Sequence, residues 1–427
     1  MALEPGLPKY KKPVPRKYRA RVIDLPDVAS LRAELKRLEV DPGGVYIMQT
    51  KGIARLVLLE GISTKAANII KQEALARGGD LAVSWKVADF DPEPTDVLLM
   101  GSLTFYRVLV EKLARQSVFD LQHIGREIDK MLTESVPGYR GATLGRRRVL
   151  RLHDRELELG RKTYIMGILN LTDDSFSDDG LGRQYDRALE RARRMVADGA
   201  DIIDVGGESS ERRDHQPLTC QEELEVVAPF VRLLRRELPD AVLSIDTWKA
   251  PVAAACLEAG AHIINDVGAM RRDPDLRRVA AESGAAIVVM HSQETTEYKD
   301  ILSDMYRFFC EVLQEAAAAG VSEDQIILDA GFGFGKRVHQ DLLVTRRLRE
   351  FTSFGRPILH APSRKRTIGR VLGYPDTVEE RLLGTGAAVA IGIQNGADIV
   401  RVHDVLDMAR CARMTDALVR GYDGPDE

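Results

Sequence analysis

The feature that most constrains the fold of this chain is a regular alternation of short apolar runs and longer amphipathic segments beginning at Thr163. Each run is β-branched or aliphatic, ends in a polar residue and precedes ten or more residues of helical pattern. The predicted strands are Tyr164–Leu169, Ile202–Val205, Val242–Ile245, Ile263–Ile264, Ala286–Met290, Ile326–Leu328, Ile358–Leu359 and Ile399–Val402. The predicted helices are about Gln184–Asp198, Cys220–Glu237, Ala250–Ala259, Pro274–Ser283, Leu302–Ala319, Asp341–Phe351, Val378–Gln394 and Val405–Val419.

Eight successive strand–helix units favour a closed (β/α)8 barrel, the TIM barrel. Strands that are apolar throughout, rather than alternating, are typical of parallel strands buried on both faces. A doubly wound open sheet is the alternative, but it usually needs only about five to seven strands. We therefore predict an α/β protein whose main domain is a TIM barrel.

The remaining sequence predicts a second, smaller domain before the barrel. We divide the 427 residues into a basic, Pro-rich tail (1–25), a small α/β domain (26–135), a linker (136–147) and the barrel (148–422). The barrel domain starts with a predicted hairpin of Arg148–Leu152 and Glu156–Leu159. The small domain alternates short apolar runs with helical patterns, at Val28–Leu38, Val45–Met48, Ala54–Leu59, Ser63–Ala76, Leu81–Val87, Asp96–Met100, Leu103–Gln116 and Phe119–Glu134.

Charge and composition exclude several classes of function. The formal net charge is −4, from 61 basic and 65 acidic residues, so no overall positive field favours nucleic acid as a partner. No apolar stretch is long enough to span a membrane, and the N-terminus lacks the apolar segment of a signal peptide. Since the four cysteines are widely spaced and form no C-x-x-C pair, we expect a cytoplasmic protein.

Polar residues directly follow the predicted strands, at the end of a barrel where catalytic groups lie. Each of these positions taken singly is more often an ordinary turn residue, but their convergence in one barrel is informative. Asp246 and Asp329 are candidates to bind the edge of a flat heterocycle, because a carboxylate accepts two parallel hydrogen bonds from adjacent ring N–H and amino groups.

A second group of strand-end residues predicts an anion site. Arg401 and His403 are two residues apart on the last strand and therefore point to the same side. In a closed barrel the first strand, which ends at Asn170, lies beside the last one. These three residues could hold a phosphate or diphosphate, which many TIM barrels bind near their last strands.

Seven segments resemble the sequence signatures of dihydropteroate synthases, in that family's order. The first two are long and specific: Met166–Gly180, MGILNLTDDSFSDDG, and Gly199–Ser210, GADIIDVGGESS. The others are Ser244–Thr247, Ile263–Val267, Asp329–Lys336, Ser363–Lys365 with Ile368 and Gly369, and Arg401–Val405. The resemblance spans the barrel but not the N-terminal domain, which looks like an extension carried by some bacterial members.

The resemblance implies a transferase that joins a dihydropterin diphosphate to p-aminobenzoate in folate biosynthesis. It implies a pterin pocket of Asp246, Asn265, Asp329, Lys365 and Arg401, and a diphosphate site of Asn170, Arg401 and His403. Of these, Asp246, Asp329, Lys365, Arg401 and His403 are the expected catalytic residues. Asn170 would bind Mg²⁺, and Ser210, Ser363 and Phe176 would bind p-aminobenzoate.

The resemblance also implies a mechanism and an assembly. Diphosphate would leave first, because the electron-rich ring shares the developing positive charge, and the amine would then attack without a strong general base. Two loops, Asp173–Gly180 and Ser210–Pro217, would close over the reactants. A homodimer formed through barrel helices is expected.

Several residues depart from the family's pattern and leave alternatives open. In loop one, Asp173 stands where the family usually has Pro, and Asp179 stands where it usually has Gly. In loop two, Ser210–Asp214 replaces the family's Thr-Arg-Pro-Gly. Either Arg212 or Arg213 therefore takes the usual arginine's role. A non-catalytic pterin-binding relative or a tetrahydropterin-dependent methyltransferase are the alternative functions. His123, His153, His215, His262 and His339 show no metal-ligand spacing, which predicts surface or core roles.

Overall fold

The computed structural model of the protein describes residues 21–89, 91–140, 148–171, 180–207, 218–422 and 424. The chain divides into two compact units, Met1–Leu144 and Gly145–Glu427. Among the described residues, no helix combines the length and the apolar character needed to cross a bilayer.

The first unit is a three-stranded antiparallel sheet with helices. Its strands are β1 (Ala54–Ile62), β2 (Asp80–Ala82) and β3 (Thr95–Ser102), in the order β1–β3–β2. Its α-helices are α1 (Val28–Arg37), α2 (Pro42–Met48), α3 (Thr64–Leu75), α4 (Leu103–Leu113) and α5 (Leu121–Ser135). The apolar run Val45–Met48 thus lies in a helix, which begins at Pro42 after the Asp41 cap.

Alternating residues of this sheet bury one face against the helices. Val57, Leu81 and Leu99 form part of a single apolar cluster with helix residues such as Ile70 and Leu109. Serine side chains that cap α3 and α4 fix where the chain turns from strand to helix.

The second unit is a closed eight-stranded parallel barrel, as predicted from the sequence. A hairpin of β4 (Arg148–Arg151) and β5 (Glu156–Leu159) precedes it. The barrel strands pair in chain order and the last pairs with the first. They are β6 (Tyr164–Asn170), β7 (Ile202–Gly206), β8 (Val242–Asp246), β9 (Ile263–Asp266), β10 (Ala286–Met290), β11 (Ile326–Asp329), β12 (Ile358–His360) and β13 (Ile399–Val402).

Helices surround the barrel, and its described residues form one more α-helix than the sequence predicted. They are α6 (Gly180–Asp198), α7 (Cys220–Glu237), α8 (Ala250–Glu258), α9 (Asp275–Ser283), α10 (Ile301–Ala318), α11 (Val338–Arg346), α12 (Arg366–Leu372), α13 (Leu382–Gln394) and α14 (Val405–Arg420). Helix α12 follows β12 after residues 361–365 and is only seven residues long, too short to show a helical period. The predicted helix Asp341–Phe351 is instead α11 followed by a 3-10 segment, Leu348–Phe354.

Side chains along each strand alternate between the barrel interior and the layer under the helices. On β7, Ile203 and Val205 belong to the helix-facing core, whereas Ile202 belongs to the interior cluster. Leu150 and Leu159 of the hairpin also pack in that interior cluster, so the hairpin closes the amino end of the barrel. The opposite, carboxyl end is therefore where the interior can admit a ligand.

Candidate active site at the carboxyl ends of the barrel strands

The two-residue period of the strands places the predicted polar residues inside the barrel. Ile263, Ile327 and Ile399 are buried in the interior cluster. Asn265, Asp329 and Arg401 lie two residues further along the same strands and so face the same interior. Asp246 has the same relation to Val242 on β8, four residues on. The strands thus bring four predicted pterin-binding residues together.

Arg401 is the centre of this cluster. Its Nε donates to Oδ2 of Asp204 over 2.6 Å, and its Nη2 donates to Oδ2 of Asp246 over 2.6 Å. Burial alone would lower the pKa of Arg401, but the carboxylates of Asp204 and Asp246 raise it. The guanidinium therefore stays charged and is held along one edge.

Asp204 is a site residue that the sequence reasoning missed. It is fully buried in the middle of β7, and Oδ2 also accepts a hydrogen bond from Nδ2 of Asn265 over 2.9 Å. The predicted site residues come after the strands or at their ends, whereas Asp204 lies in the middle of β7. A charged residue inside the otherwise apolar run Ile202–Val205 was the signal that could have found it.

The pocket carboxyls are strongly affected by burial. Burial raises the pKa of Asp246 to about 7; Arg401 acts in the opposite direction, and the nearby Asp204 adds to the rise. Burial also raises the pKa of Asp329, which the Gly331 N–H and the Lys365 ammonium oppose. Oδ1 of Asp329 accepts that Gly331 N–H over 2.8 Å, which fixes the carboxyl group.

Lys336 stabilises the loop after β11. Its ammonium donates to the carbonyl oxygens of Gly331 and Phe334, at 2.9 and 3.0 Å, and lies 3.1 Å from Nδ1 of His291. Burial lowers the pKa of Lys336 to about 8 and that of His291 to about 3, so the neutral ring accepts from the lysine. The strand-end residue His291 thus supports the loop.

Lys365 is positioned by a backbone conformation that is unusual for its neighbour. Arg364 has a φ of +59°, and its guanidinium pairs with Asp404 while its carbonyl accepts from Arg381. These anchors stabilise a conformation that costs a non-glycine residue about 1–2 kcal/mol. Lys365 follows, with Nζ 4.2 Å from the centre of the Phe334 ring.

His403 is a neutral donor in this arrangement. Oγ of Ser363 accepts the His403 backbone N–H over 3.1 Å and lies 3.0 Å from its Nδ1. Burial, with Arg364 and Arg401, lowers the pKa of His403 to about 3. When the Ser363 hydroxyl donates to Nδ1, the ring proton lies on Nε2. In that tautomer Ser363 has no hydroxyl donor left for another anion.

The remaining predicted residues are only partly described. Asn170 ends β6, which pairs with β13, and its side chain is half-buried. Ser210 and Phe176, together with most of loops one and two, lie outside the described residues.

Two histidines come together at the amino end of β9, where the sequence spacing gave no sign of a cluster. The rings of His153 and His262 stack at 5.1 Å, and Nε2 of His262 lies 3.4 Å from Oδ1 of Asp154. Such groups can hold a metal ion, but Nδ1 of His262 accepts the Leu243 N–H over 3.0 Å. Burial lowers the pKa of His262 to about 4, so the neutral ring has its proton on Nε2 and offers no lone pair to a metal.

Comparisons with known proteins agree with the barrel fold and identify its family. Residues 166–403 match the family model described as pterin binding enzyme. Dihydropteroate synthase of Bacillus subtilis is 46% identical over 277 residues, which are 65% of this chain and 96% of that protein. A crystal structure of dihydropteroate synthase from Clostridium difficile, determined in the presence of pteroic acid, is 46% identical. It covers 62% of this chain and 99% of its own, with a TM-score of 0.59.

A third relative extends into the first unit. A probable bifunctional folylpolyglutamate synthase/dihydropteroate synthase of Halobacterium salinarum is 36% identical over 407 residues, or 94% of this chain and 47% of that protein. Because this alignment is longer than the barrel unit, the small N-terminal unit also has a counterpart in that protein.

Proposed function

Because this chain belongs to the dihydropteroate synthase family of pterin-binding enzymes, we propose a division of labour among its barrel residues for that family's reaction. The enzyme is a transferase of folate biosynthesis acting on a pterin and p-aminobenzoate. The observation that carries the assignment of its site is the buried cluster of Arg401 with Asp204, Asp246 and Asn265 at the closed interior of the barrel.

We assign the pterin ring to this cluster. Asp329 is buried and has acceptor capacity beyond the Gly331 N–H, so it can receive the amino edge of the ring. Asp246 and Asn265 lie on β8 and β9, which pair with each other, and the Lys365 ammonium is close enough to the carboxyl groups of Asp246 and Asp329 to lower their pKa values. Arg401 is on β13, between β6, which ends at Asn170, and β12, which precedes Lys365, and it would contact both the ring and the diphosphate.

The diphosphate site is proposed to combine Asn170, Arg401 and His403. The two ion pairs of Arg401 use Nε and Nη2, so Nη1 has no protein acceptor among the described residues. The neutral His403 would donate from Nε2. A guanidinium and a neutral donor stabilise an oxyanion without requiring the histidine to be protonated.

Magnesium is proposed to bind at Asn170. A side-chain amide oxygen is a hard ligand, and Mg²⁺ usually takes one or two protein ligands and completes its shell with water and substrate phosphates. Asn170 fits that pattern because it lies half-buried at the carboxyl end of β6, beside the strand of Arg401. When bound, the ion would neutralise charge on the leaving diphosphate.

The chemistry proposed for these residues is dissociative. The bond from the methylene carbon to the diphosphate oxygen breaks with its electron pair going to diphosphate, and the amine nitrogen then bonds to the carbon and loses a proton. The carboxylates of Asp246 and Asp329 stabilise the developing cation, while Arg401 and His403 stabilise the leaving group. With its pKa lowered to about 3, His403 is a poor proton acceptor at neutral pH, and aniline attack needs none that is strong.

The amine site is proposed to include Ser210, Ser363 and Phe176. Since the Ser363 hydroxyl is paired with His403, it can donate to the p-aminobenzoate carboxylate only by rotating away from that ring. Binding of the amine would then release the Nδ1 of His403 as well.

The protein is further proposed to be a cytoplasmic homodimer. Its four cysteines form no disulfide among the described residues, and a reducing compartment favours that state. Helices α13 and α14 pack side by side and expose Leu383, Ala387, Ile391, Met414 and Leu418, which we call the α13–α14 face. Exposed apolar side chains on two adjacent helices favour burial against a second copy.

The direct test measures diphosphate release from 6-hydroxymethyl-7,8-dihydropterin diphosphate with Mg²⁺, with and without p-aminobenzoate, while dihydropteroate is followed by mass. We expect amine-dependent release that is stoichiometric with dihydropteroate. Pterin binding without coupled product would instead support a non-catalytic pterin-binding protein. Transfer of a methyl group from a tetrahydropterin would identify a methyltransferase.

A further inference from the structure

We infer that Asp204 is the positioning residue that fixes the donor and acceptor pattern of the pterin pocket, by holding Arg401 and Asn265 in defined orientations. The inference rests on the proposed function of the barrel and adds to it a residue that acts through its neighbours. It concerns pterin binding, so it can be tested even in the absence of turnover.

A single oxygen of Asp204 orients both neighbours. Oδ2 accepts from Nε of Arg401 at 2.6 Å and from Nδ2 of Asn265 at 2.9 Å. These donors come from β13 and β9, strands that are not adjacent to each other in the barrel. Asp204 on β7 therefore connects residues that the strand pairing alone would not hold in register.

The contact decides which way the Asn265 amide faces. An ionised carboxylate can only accept hydrogen bonds, so Asn265 must turn its nitrogen toward Asp204. The carbonyl oxygen of Asn265 is thereby directed away from Asp204 and remains an acceptor for the ligand. Without the carboxylate, the amide could flip and present two donors where it now offers an acceptor.

The same contact fixes the plane of Arg401. Asp204 and Asp246 hold Nε and Nη2 respectively, and two contacts along one edge prevent rotation of a planar guanidinium. Nη1 is then presented in one direction, which the proposed diphosphate site requires. Asp246 alone would leave Arg401 free to turn about a single contact.

Fold stability does not account for a carboxylate at this position. Oδ1 of Asp204 is buried without a hydrogen-bond partner among the described residues, and so is Oγ of Ser244, its register neighbour on β8. A buried, partly unsatisfied charge costs stability, and replacing buried ion pairs by apolar residues is often neutral or stabilising. The value of Asp204 therefore lies in the residues that it orients.

The test compares Asp204→Asn with Ser244→Ala, a control in the same layer of the barrel. Calorimetry with the dihydropterin diphosphate, without amine, should show affinity about 10- to 100-fold lower for Asp204→Asn, since two hydrogen bonds to a charged acceptor are weakened. Ser244→Ala removes a hydroxyl without a partner and should bind as the wild type does. The KM for p-aminobenzoate should change little in either variant.

The pH dependence of pterin affinity is a readout that a purely structural role would not change. The charged groups around Asp246 are Arg401 of β13, Asp204 of β7, Lys365 before α12 and Glu223 of α7. Of these, Asp204→Asn removes only the negative charge on β7, which raises the pKa of Asp246. The loss of affinity on acidification should therefore shift to lower pH in Asp204→Asn and stay in place in Ser244→Ala.

Asp204→Ser provides a second variant if Asp204→Asn does not fold, because its hydroxyl can still accept one hydrogen bond without burying a charge. Wild-type affinity and an unshifted pH dependence in a folded variant would overturn the inference, as would a loss of thermal stability alone. If the wild-type protein binds the pterin but makes no dihydropteroate, the proposed function fails while the test of Asp204 still holds.

Discussion

At the residue scale, Asp329 gives the most direct test of the pterin pocket. It is 4% exposed, and the other side chains of β11 are apolar, so only Asp329 on this strand offers a side-chain acceptor to the proposed ring. Asp329→Asn keeps the shape but turns half of the acceptor into a donor, so we expect pterin affinity to fall at least about 100-fold. Calorimetry would measure the affinity, and Asp324→Asn, the same substitution at an exposed aspartate, is the control. Unchanged affinity in Asp329→Asn would contradict the placement of the ring.

Residue positions differed in how far the sequence could predict them. Asp246, Asp329 and Arg401 could be predicted to lie together because strand ends converge in a barrel, a rule that depends only on topology. Asp204 was missed because it lies inside a strand, and its role depends on side chains from β9 and β13 reaching across the interior. The Ser363–His403 pair and the resulting ring tautomer depend on local geometry that has no sequence pattern.

At the scale of elements, the loop after β11 predicts a sharp sensitivity at Gly331. Its φ is +65°, and a Cβ there would lie 2.0 Å from the carbonyl oxygen of His291. Gly284 has a similar φ of +68° but open space around it. The left-handed conformation should lower the free energy of unfolding by about 1–2 kcal/mol in both Gly331→Ala and Gly284→Ala. In Gly331→Ala the clash should lower it further.

Urea unfolding of the two alanine variants would separate strain from collision. The Gly331 N–H also binds Asp329, so Gly331→Ala should weaken pterin binding while Gly284→Ala should not. Equal losses of stability, with pterin affinity unchanged, would mean that the loop moves aside and does not position the carboxylate.

Element boundaries show where sequence periodicity stops being informative. The barrel strands were predicted within a residue or two because they are uniformly apolar and buried. Helix α12 was missed because its seven residues complete only two turns, and the Gly373 end of the helix gives no period by itself. Because α12 begins directly after Lys365, the sequence pattern did not predict the local structure that holds this residue.

At the scale of the whole molecule, His262 should make stability sensitive to acid. Its pKa falls from 6.5 to about 4 on folding, so between these values the unfolded chain binds a proton that the folded protein does not. Stability is therefore lost as pH falls through this window, by up to ~1.4 kcal/mol per pH unit. The raised pKa values of Asp246 and Asp266 act in the opposite direction.

The effect of His262 is isolated by comparison with His262→Asn, whose amide oxygen can still accept the Leu243 N–H. Denaturant unfolding between pH 7 and pH 4 should show a shallower loss of stability on acidification in the variant. Parallel curves for the two proteins would show that His262 is not neutral in the folded state.

The α13–α14 face predicts the assembly of the molecule. Leu418 is 75% exposed on this face, and Leu418→Glu should convert the proposed dimer to a monomer in sedimentation or light-scattering measurements because it places a charge in the buried interface. Leu58→Glu is a matched control, since Leu58 is 54% exposed on the first unit. A wild-type monomer, or dissociation caused by Leu58→Glu instead, would contradict the proposed interface.

The hairpin of β4 and β5 leaves the barrel interior open at one end only. Leu150 and Leu159 fill the amino end, so a ligand can enter and leave the interior only through the carboxyl end. In the proposed arrangement the pterin lies deeper in the barrel than the amine, so the pterin has to bind first. Release follows the reverse order, so the product can leave through the carboxyl end only after the groups that cover it have left or moved away.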